Sequence, residues 1–206
     1  MRVLRVLCQR PYFTGSGINL VNLTQQGIKA GIKQAVIFGQ PRGEPNPFEG
    51  MLDRQHVFPV LFGKERLAAE GIPFPVAGMS DQMPYESTTF SNFDEEMLEA
   101  YLKGFATQIE EAVKNFRPNV IHSHHLWLVT ALSRVLHSEI PVIATCHNTA
   151  LRQAILAKHL MPFVSSPIKG LDEIAVINED QERRVIKTFQ LEVKPTQNDR
   201  FFYIGQ

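Results

Sequence analysis

Residues 117–149 read RPNVIHSHHLWLVTALSRVLHSEIPVIATCHNT, with two short apolar runs on either side of a helical pattern. We predict a strand over 119–123, a helix near 127–137 and a second strand over 141–146. A strand, a helix and a strand in this order form the β-α-β unit, whose two strands lie parallel. The stretch therefore indicates an α/β fold.

The same alternation continues in both directions along the chain. Further strands are predicted over 3–8, 34–38, 173–177 and 200–204. Further helices are predicted over 18–30, over 94–116 with Asp94 as its cap, near 149–160 and over 179–189. Apolar strands that alternate with helices are typical of a parallel sheet covered on both faces. We expect one doubly wound, mostly parallel, Rossmann-like α/β domain.

The region 39–93 departs from this regular pattern. Prolines recur throughout it, and most of the chain's 13 glycines precede residue 80. Because both residues interrupt helices and strands, we predict a loop-rich region with short strands near 56–61 and 73–77.

Composition excludes several classes of protein. The 206 residues include 21 basic and 21 acidic side chains, which gives no net charge, so a general nucleic-acid binder is not expected. Cys8 and Cys146 lie in apolar runs and are predicted to be buried free thiols in a reducing compartment. The N-terminus is too short to read as a signal peptide, and no run of about 20 apolar residues occurs. We expect a soluble, cytoplasmic protein.

Polar and small residues follow four of the predicted strands. Because parallel strands end at one edge of a sheet, these residues are expected along a common rim where ligands bind. They are Gly15, Ser16 and Gly17 after the first strand, then His122, His124 and His125, then His147 and Asn148, then Asn178 and Glu179.

The glycine segment 15–17 has two interpretations. Bare backbone before a helix lets a phosphate approach the helix N-terminus. Alternatively, the glycines only make a tight turn, as they do in many proteins. The spacing is not GxGxxG, because no third glycine stands at the required offset.

The histidines also leave alternatives open. On a strand, His122 and His124 share a face while His125 points away. A metal site is disfavoured, because Leu126 and Trp127 stand where a metallohydrolase pattern needs further ligands. An imidazole here would satisfy a buried carbonyl group, or it would face the cleft and bind substrate hydroxyls or phosphate.

The segment 150–169 mixes basic and apolar residues. Arg152, one turn after His147, is positioned to reach an anion or else lies on a solvated helix face. The segment as a whole reads as a helix packed on the sheet with a basic exposed side, or as a surface that touches a membrane.

Several motifs, in order, resemble the N-terminal domain of retaining glycosyltransferases of family 4, which have the two-domain GT-B fold. They are RPYFTGSGINLVNL, RPNVIHSHHLW, IPVIATCHNTALRQ, AVINEDQERRVI and RFFYIGQ. The resemblance implies that 1–206 is the acceptor-binding domain and that the C-terminal, donor-binding domain is absent. It also implies transfer of a sugar from a nucleotide-sugar to an acceptor, without a metal or other cofactor.

The resemblance further implies roles for individual residues. His147 lies beside the transferred sugar as the catalytic candidate, and Arg152 contacts the acceptor. Gly15, Ser16 and Gly17 lie near the donor phosphates, and His122 and His124 line the cleft. Asn148, Asn178 and Glu179 are added as substrate-binding candidates because of their place on the rim.

Partners and rival functions complete the expectations. Partners are the nucleotide-sugar, the acceptor and the missing domain, with a dimer and peripheral membrane contact as further candidates. One rival is a nicotinamide-dependent oxidoreductase, which needs an acidic residue after the second strand, where Phe38-Gly39-Gln40 stands instead. The other rival is a non-catalytic binding module.

Overall fold

The computed structural model describes residues 1–63, 71–192 and 200–204. Within these residues, seven parallel strands form the main sheet, and β4 and β5 form a separate pair. The strands are β1 (Arg2–Leu7), β2 (Lys33–Pro41), β3 (Val57–Phe62), β4 (Ala77–Gly78), β5 (Thr88–Thr89), β6 (Val120–His124), β7 (Val142–Thr145), β8 (Glu173–Val176) and β9 (Phe201–Tyr203). The helices are α1 (Gly15–Lys29), α2 (Glu95–Phe116), α3 (Leu128–Leu136), α4 (Asn148–Leu156), α5 (Met161–Lys169) and α6 (Glu179–Phe189).

The order of strands in the main sheet is β3-β2-β1-β6-β7-β8-β9. The chain therefore builds outward from β1 on one side and then returns to β6 and builds outward on the other. In doubly wound sheets the reversal point opens a crevice at the carboxyl ends of the strands, where ligands bind. Here that point lies between β1 and β6, and the predicted fold class is confirmed.

Side chains of β1 show that both faces of the sheet are covered. Leu4 and Val6 belong to a large apolar cluster that includes α2. Leu7 points to the opposite face and packs with Leu20 and Val21 of α1 in a second cluster. Buried apolar side chains on both faces explain why the central strands read as continuous apolar runs.

Side-chain caps set the starts of three helices. The carboxylate of Asp94 accepts a hydrogen bond from the amide of Met97 at 2.8 Å, as predicted for α2. Thr14 caps α1 by accepting from the amide of Gly17 at 3.1 Å. Asn178 caps α6 by accepting from the amide of Gln181 at 2.9 Å.

Three sequence predictions need correction. α1 begins at Gly15 rather than 18, because Thr14 supplies the cap that turns the glycine segment into the first helical turn. The helix predicted near 149–160 ends at Leu156, and a 3₁₀ turn leads into α5, which starts with a proline where the missing N–H costs nothing. The strand predicted near 73–77 is wrong apart from the two-residue β4, whereas 56–61 is confirmed as β3.

Candidate functional site

Four histidines meet at the carboxyl ends of β6 and β7, and we call them the imidazole cluster. His122 and His124 lie on β6, His125 follows it, and His147 follows β7 as the residue before α4. Ring centroids are 4.9 Å apart for His122 and His124, 5.5 Å for His124 and His147, and 4.7 Å for His125 and His147. The cluster occupies the expected rim beside the reversal point of the sheet.

His122 is the innermost member of the cluster. Its Nδ1 accepts from the guanidinium of Arg5 at 2.8 Å, because arginine can only donate, so its Nε2 carries the hydrogen and donates to Thr145 at 2.8 Å. Burial, reinforced by the charge of Arg5 and by His147, lowers the pKa of His122 to about 3. The prediction that His122 lines the cleft is corrected: both of its ring nitrogens are bound inside the protein.

His125 is a site residue that the sequence analysis did not select. Its left-handed backbone, at φ 71°, turns the ring back toward His147 instead of away from it. Its Nε2 donates to the side-chain oxygen of Gln9 at 3.1 Å, and its Nδ1 accepts from the hydroxyl of Thr149 at 3.2 Å. Strand alternation could not reveal this geometry, because alternation ends where the backbone changes conformation.

His124 and His147 form the outer pair of the cluster. Nδ1 of His124 lies 3.3 Å from Nε2 of His147, so one ring donates to the other. Nε2 of His124 is buried, and no described residue bonds to it. Burial lowers the pKa of His147 to about 4 and the pKa values of His124 and His125 well below the ordinary value, with repulsion among the rings adding to the effect on His124 and His125. The cluster is therefore neutral at pH 7.

The first turn of α1 is tied to the cluster through Gln9. The side-chain oxygen of Gln9 accepts from the hydroxyl of Ser16 at 2.9 Å as well as from His125. A Cβ on Gly17 would stand 2.7 Å from the carbonyl oxygen of Arg10, whereas a Cβ on Gly15 would have nothing within 4 Å. The helix start thus packs closely on the loop after β1 at Gly17 and is open at Gly15.

The remaining predicted residues lie on neighbouring elements and contact other partners. The side-chain oxygen of Asn148 accepts from Gln181 at 3.0 Å, and Asn178 serves as the cap of α6. Glu179 is exposed and lies 3.7 Å from Arg183. Arg152 forms an exposed ion pair with Asp81 at 2.7 Å. The structure therefore unites Ser16, His124 and His147 through direct contacts and leaves these four residues outside the cluster.

Other sites can be described briefly. Among the described residues, no group of three or more histidine, cysteine, aspartate or glutamate side chains is arranged to hold a metal ion. Cys8 and Cys146 are free and buried, as predicted, and burial raises the pKa of each thiol to about 12. No helix in the described parts of the chain has the length and apolar character needed to cross a membrane.

Comparison with known families decides the relationship of this chain. The family model Glycosyltransferase Family 4 matches residues 14–196. The chain belongs to glycosyltransferase family 4. This family-4 chain matches no curated protein sequence.

Solved structures agree on the fold of this family-4 chain. Sucrose-phosphate synthase from Thermosynechococcus elongatus is 13% identical with a TM-score of 0.61, and the match covers 100% of this chain and 49% of that one. UDP-GlcNAc 2-epimerase from Methanocaldococcus jannaschii is 8% identical with a TM-score of 0.51, and the match covers 100% and 45%. UGT89C1 from Arabidopsis thaliana, complexed with UDP, is 13% identical with a TM-score of 0.50, and the match covers 100% and 52%.

These likenesses show the fold alone, because every identity is low. The chain spans about half the length of the solved structures that it matches. The resemblance found in the sequence is confirmed by the family match, and neither the oxidoreductase nor the non-catalytic rival gains support from any comparison.

Proposed function

We propose that this chain is the acceptor-binding half of a retaining glycosyltransferase that moves a sugar from a nucleotide-sugar to an acceptor. One observation supports the proposal most directly. His147 and the first turn of α1 are joined through His125 and Gln9 at the carboxyl edge of the sheet. In a doubly wound sheet this edge, at the reversal of strand order, is where a substrate binds.

The start of α1 is suited to the donor phosphates. α1 has 15 residues and no acidic residue in its first turn, so its positive end is not neutralised. Gly15 leaves open space at this end. We propose that the backbone of Gly15 and Ser16 approaches the diphosphate there, as helix N-termini do in other phosphate sites.

His147 is proposed to contact the sugar at the reacting centre. In the transfer, the bond from the anomeric carbon to the donor phosphate breaks, the bond to the acceptor oxygen forms, and the acceptor proton leaves with the released diphosphate. A neutral imidazole with Nε2 directed to His124 has Nδ1 left for a substrate hydroxyl. Such a hydrogen bond orients the sugar, and it needs neither a charged histidine nor a metal ion.

The rest of the cleft is proposed to come from a second domain. The structures with the same fold are about twice as long as this chain. We propose that residues 1–206 form one N-terminal domain and that a donor-binding domain closes over its rim. Without that domain the reactants would not be held together, so the chain by itself should not catalyse transfer.

The outlying candidates keep proposed roles. Arg152 carries an exposed positive charge that is available to an anionic part of a substrate if its pair with Asp81 opens. Asn148, Asn178 and Glu179 are proposed to contact substrate or the second domain from the rim.

A cytoplasmic location, contact with a membrane surface and a dimer are also proposals. The two reduced, buried thiols favour the cytoplasm. Exposed Ile155 and Phe163 near Lys158 would suit a membrane surface. Vesicle flotation and size-exclusion chromatography would test the last two proposals, and a fluorescent fusion would test the first.

Substitution of His147 tests the catalytic proposal. In the complete gene product we expect His147→Ala to lower kcat by about 10² or more, because an orienting contact at the reacting centre is lost. His159→Ala, an exposed histidine on another element, is the matched control and should leave turnover unchanged. Turnover of His147→Ala within about twofold of the parent would show that the assigned role is wrong.

A further inference from the structure

A cavity of about 410 Å³ lies where the loops after β1 and β2 face each other, and we call it the aromatic cavity. Its volume is in the range of small-molecule sites. The apolar part of its lining consists of Pro11, Tyr12, Phe13, Pro45 and Pro47. Tyr12 and Phe13 are each nearly half exposed, so their rings are accessible to a ligand.

The charges at this cavity cancel each other. The guanidinium of Arg10 pairs with both carboxylate oxygens of Glu44, at 2.7 and 2.6 Å. The same guanidinium lies over the ring of Phe13 at 3.9 Å and over that of Tyr85 at 5.0 Å. Because Arg10 is held by a carboxylate and two rings, the cavity offers no free cation to a phosphate group.

Gln40 supplies one polar atom in the lining that lacks a partner. Its Nε2 donates to the carbonyl oxygens of Glu44 at 2.5 Å and of Pro45 at 3.1 Å, which fixes the orientation of the amide. Its Oε1 is buried, and no described residue donates to it. A buried acceptor without a donor is costly, so a ligand hydroxyl would stabilise it.

We propose that the aromatic cavity binds the ring of an uncharged, hydroxyl-bearing acceptor. The apolar face of the ring lies on Phe13 and Tyr12, and one of its hydroxyls donates to Oε1 of Gln40. This inference rests on the proposed function and adds to it the chemical class of the acceptor: a neutral ring with hydroxyl groups, in preference to a phosphorylated or an open-chain one.

The location of the cavity agrees with this assignment. Arg10 follows directly on Gln9, which binds His125 of the imidazole cluster. An adjoining cavity of about 790 Å³ shares Arg10 and Glu44 and also contains Arg42 and Glu86, again one basic and one acidic side chain. A ring seated on Phe13 is thus one residue along the chain from the groups that contact the reacting centre.

Ligand-observed saturation-transfer NMR on the complete gene product tests the proposal. The probes are methyl glucopyranoside and myo-inositol as neutral rings, glucose 6-phosphate as a charged ring, and mannitol as an open-chain polyol. We expect saturation of the ring protons of at least one neutral ring, and weak or no signal from the phosphate and from mannitol.

Two substitutions link the signal to the cavity. Phe13→Ala should weaken binding of the neutral ring at least tenfold, and Phe13→Leu should weaken it less, because it keeps apolar surface without the flat ring. Phe163→Ala is the matched control, since Phe163 is 51% exposed and Phe13 46%, and it should change nothing. Thermal unfolding of each variant confirms that it remains folded.

The outcomes separate this inference from the proposed function. Preference for the phosphorylated ring or for mannitol, absence of binding by both neutral rings, or an unchanged signal in Phe13→Ala would overturn the inference. Transfer activity that depends on His147 but uses only charged acceptors would leave the proposed function standing while this inference falls.

Discussion

The imidazole cluster and the aromatic cavity lie side by side but are built in opposite ways. The cluster projects from two central strands and the residues that directly follow them, and its nitrogens bond mostly to the protein itself. The cavity is lined by two loops, with exposed rings and an unpaired acceptor. This contrast teaches that geometry for a common reaction can be held by the sheet, while loops carry the choice of acceptor.

Acidification should break the cluster first and cause the largest loss of stability. Burial holds the pKa values of His122, His124 and His125 below that of an unfolded histidine. Below about pH 6.5 the unfolded chain therefore binds more protons than the folded chain, and the free energy of unfolding falls as pH falls. Each of these histidines can contribute up to about 1.4 kcal/mol per pH unit.

Urea unfolding between about pH 7 and pH 4.5 measures this slope. His124→Gln should flatten it, because one of the titrating groups is removed, and His159→Gln should leave it as it is. A slope that is equal in the parent and in His124→Gln would contradict the interpretation of the cluster as a set of buried neutral rings.

Gly17→Ala should damage the side of the cavity formed by the loop after β1. The added Cβ would stand 2.7 Å from the carbonyl oxygen of Arg10 and 3.0 Å from the amide nitrogen of Tyr12, both of them backbone atoms. We expect a loss of about 1–3 kcal/mol in the free energy of unfolding and weaker ligand binding in the cavity. Chemical denaturation and the NMR titration measure the two effects.

Gly15→Ala is the matched control, two residues earlier in the same helical turn. No atom lies within 4 Å of the added Cβ, so stability should change by less than about 0.5 kcal/mol. Equal effects of the two substitutions would show that helix propensity, and not the close approach at Gly17, decides the outcome.

Thr14→Ala should have a smaller effect, on the helix start that connects the two sites. The variant removes the hydroxyl that accepts from Gly17 and should cost about 1 kcal/mol. Thr14→Ser keeps the hydroxyl and should retain most of the stability. A cost equal to that of Thr14→Ala in the serine variant would exclude capping as the cause.

Asp81→Asn should have the smallest effect, because its partner Arg152 is exposed. The pair lies on the surface, so its loss should lower stability by no more than about 1 kcal/mol. The loss should shrink further in high salt, which thermal unfolding at two ionic strengths would measure. A larger loss that persists in salt would show that Arg152 has a structural role.

Much of the fold could be predicted from the sequence because periodicity records burial. The strands at 119–123 and 141–146 are apolar on both sides since helices cover both faces, and so the rim that carries His124 and His147 could be anticipated. The helix over 94–116 was equally readable, because Asp94 marks its start and Pro118 follows its end.

The rest depended on local backbone and long-range contacts that periodicity does not record. The turn of His125 into the cluster follows from a positive φ, which no neighbouring residue announces. The role of Gln9 arises because β1 and β6 are adjacent in space although far apart in the chain. In the region 39–93, prolines and glycines indicated loops but could not indicate that two of those loops form a cavity.

The pairing of β1 with β6 has a consequence for how the protein is made. Val3 lies opposite Val120, so the middle of the sheet joins residues 117 positions apart. A nascent chain leaving the ribosome can pair β1 with β2 and β3 early, but its open edge at β1 must wait for more than half of the polypeptide. Contacts of such high order make folding slow, and they make β1 the strand most exposed to wrong partners during synthesis.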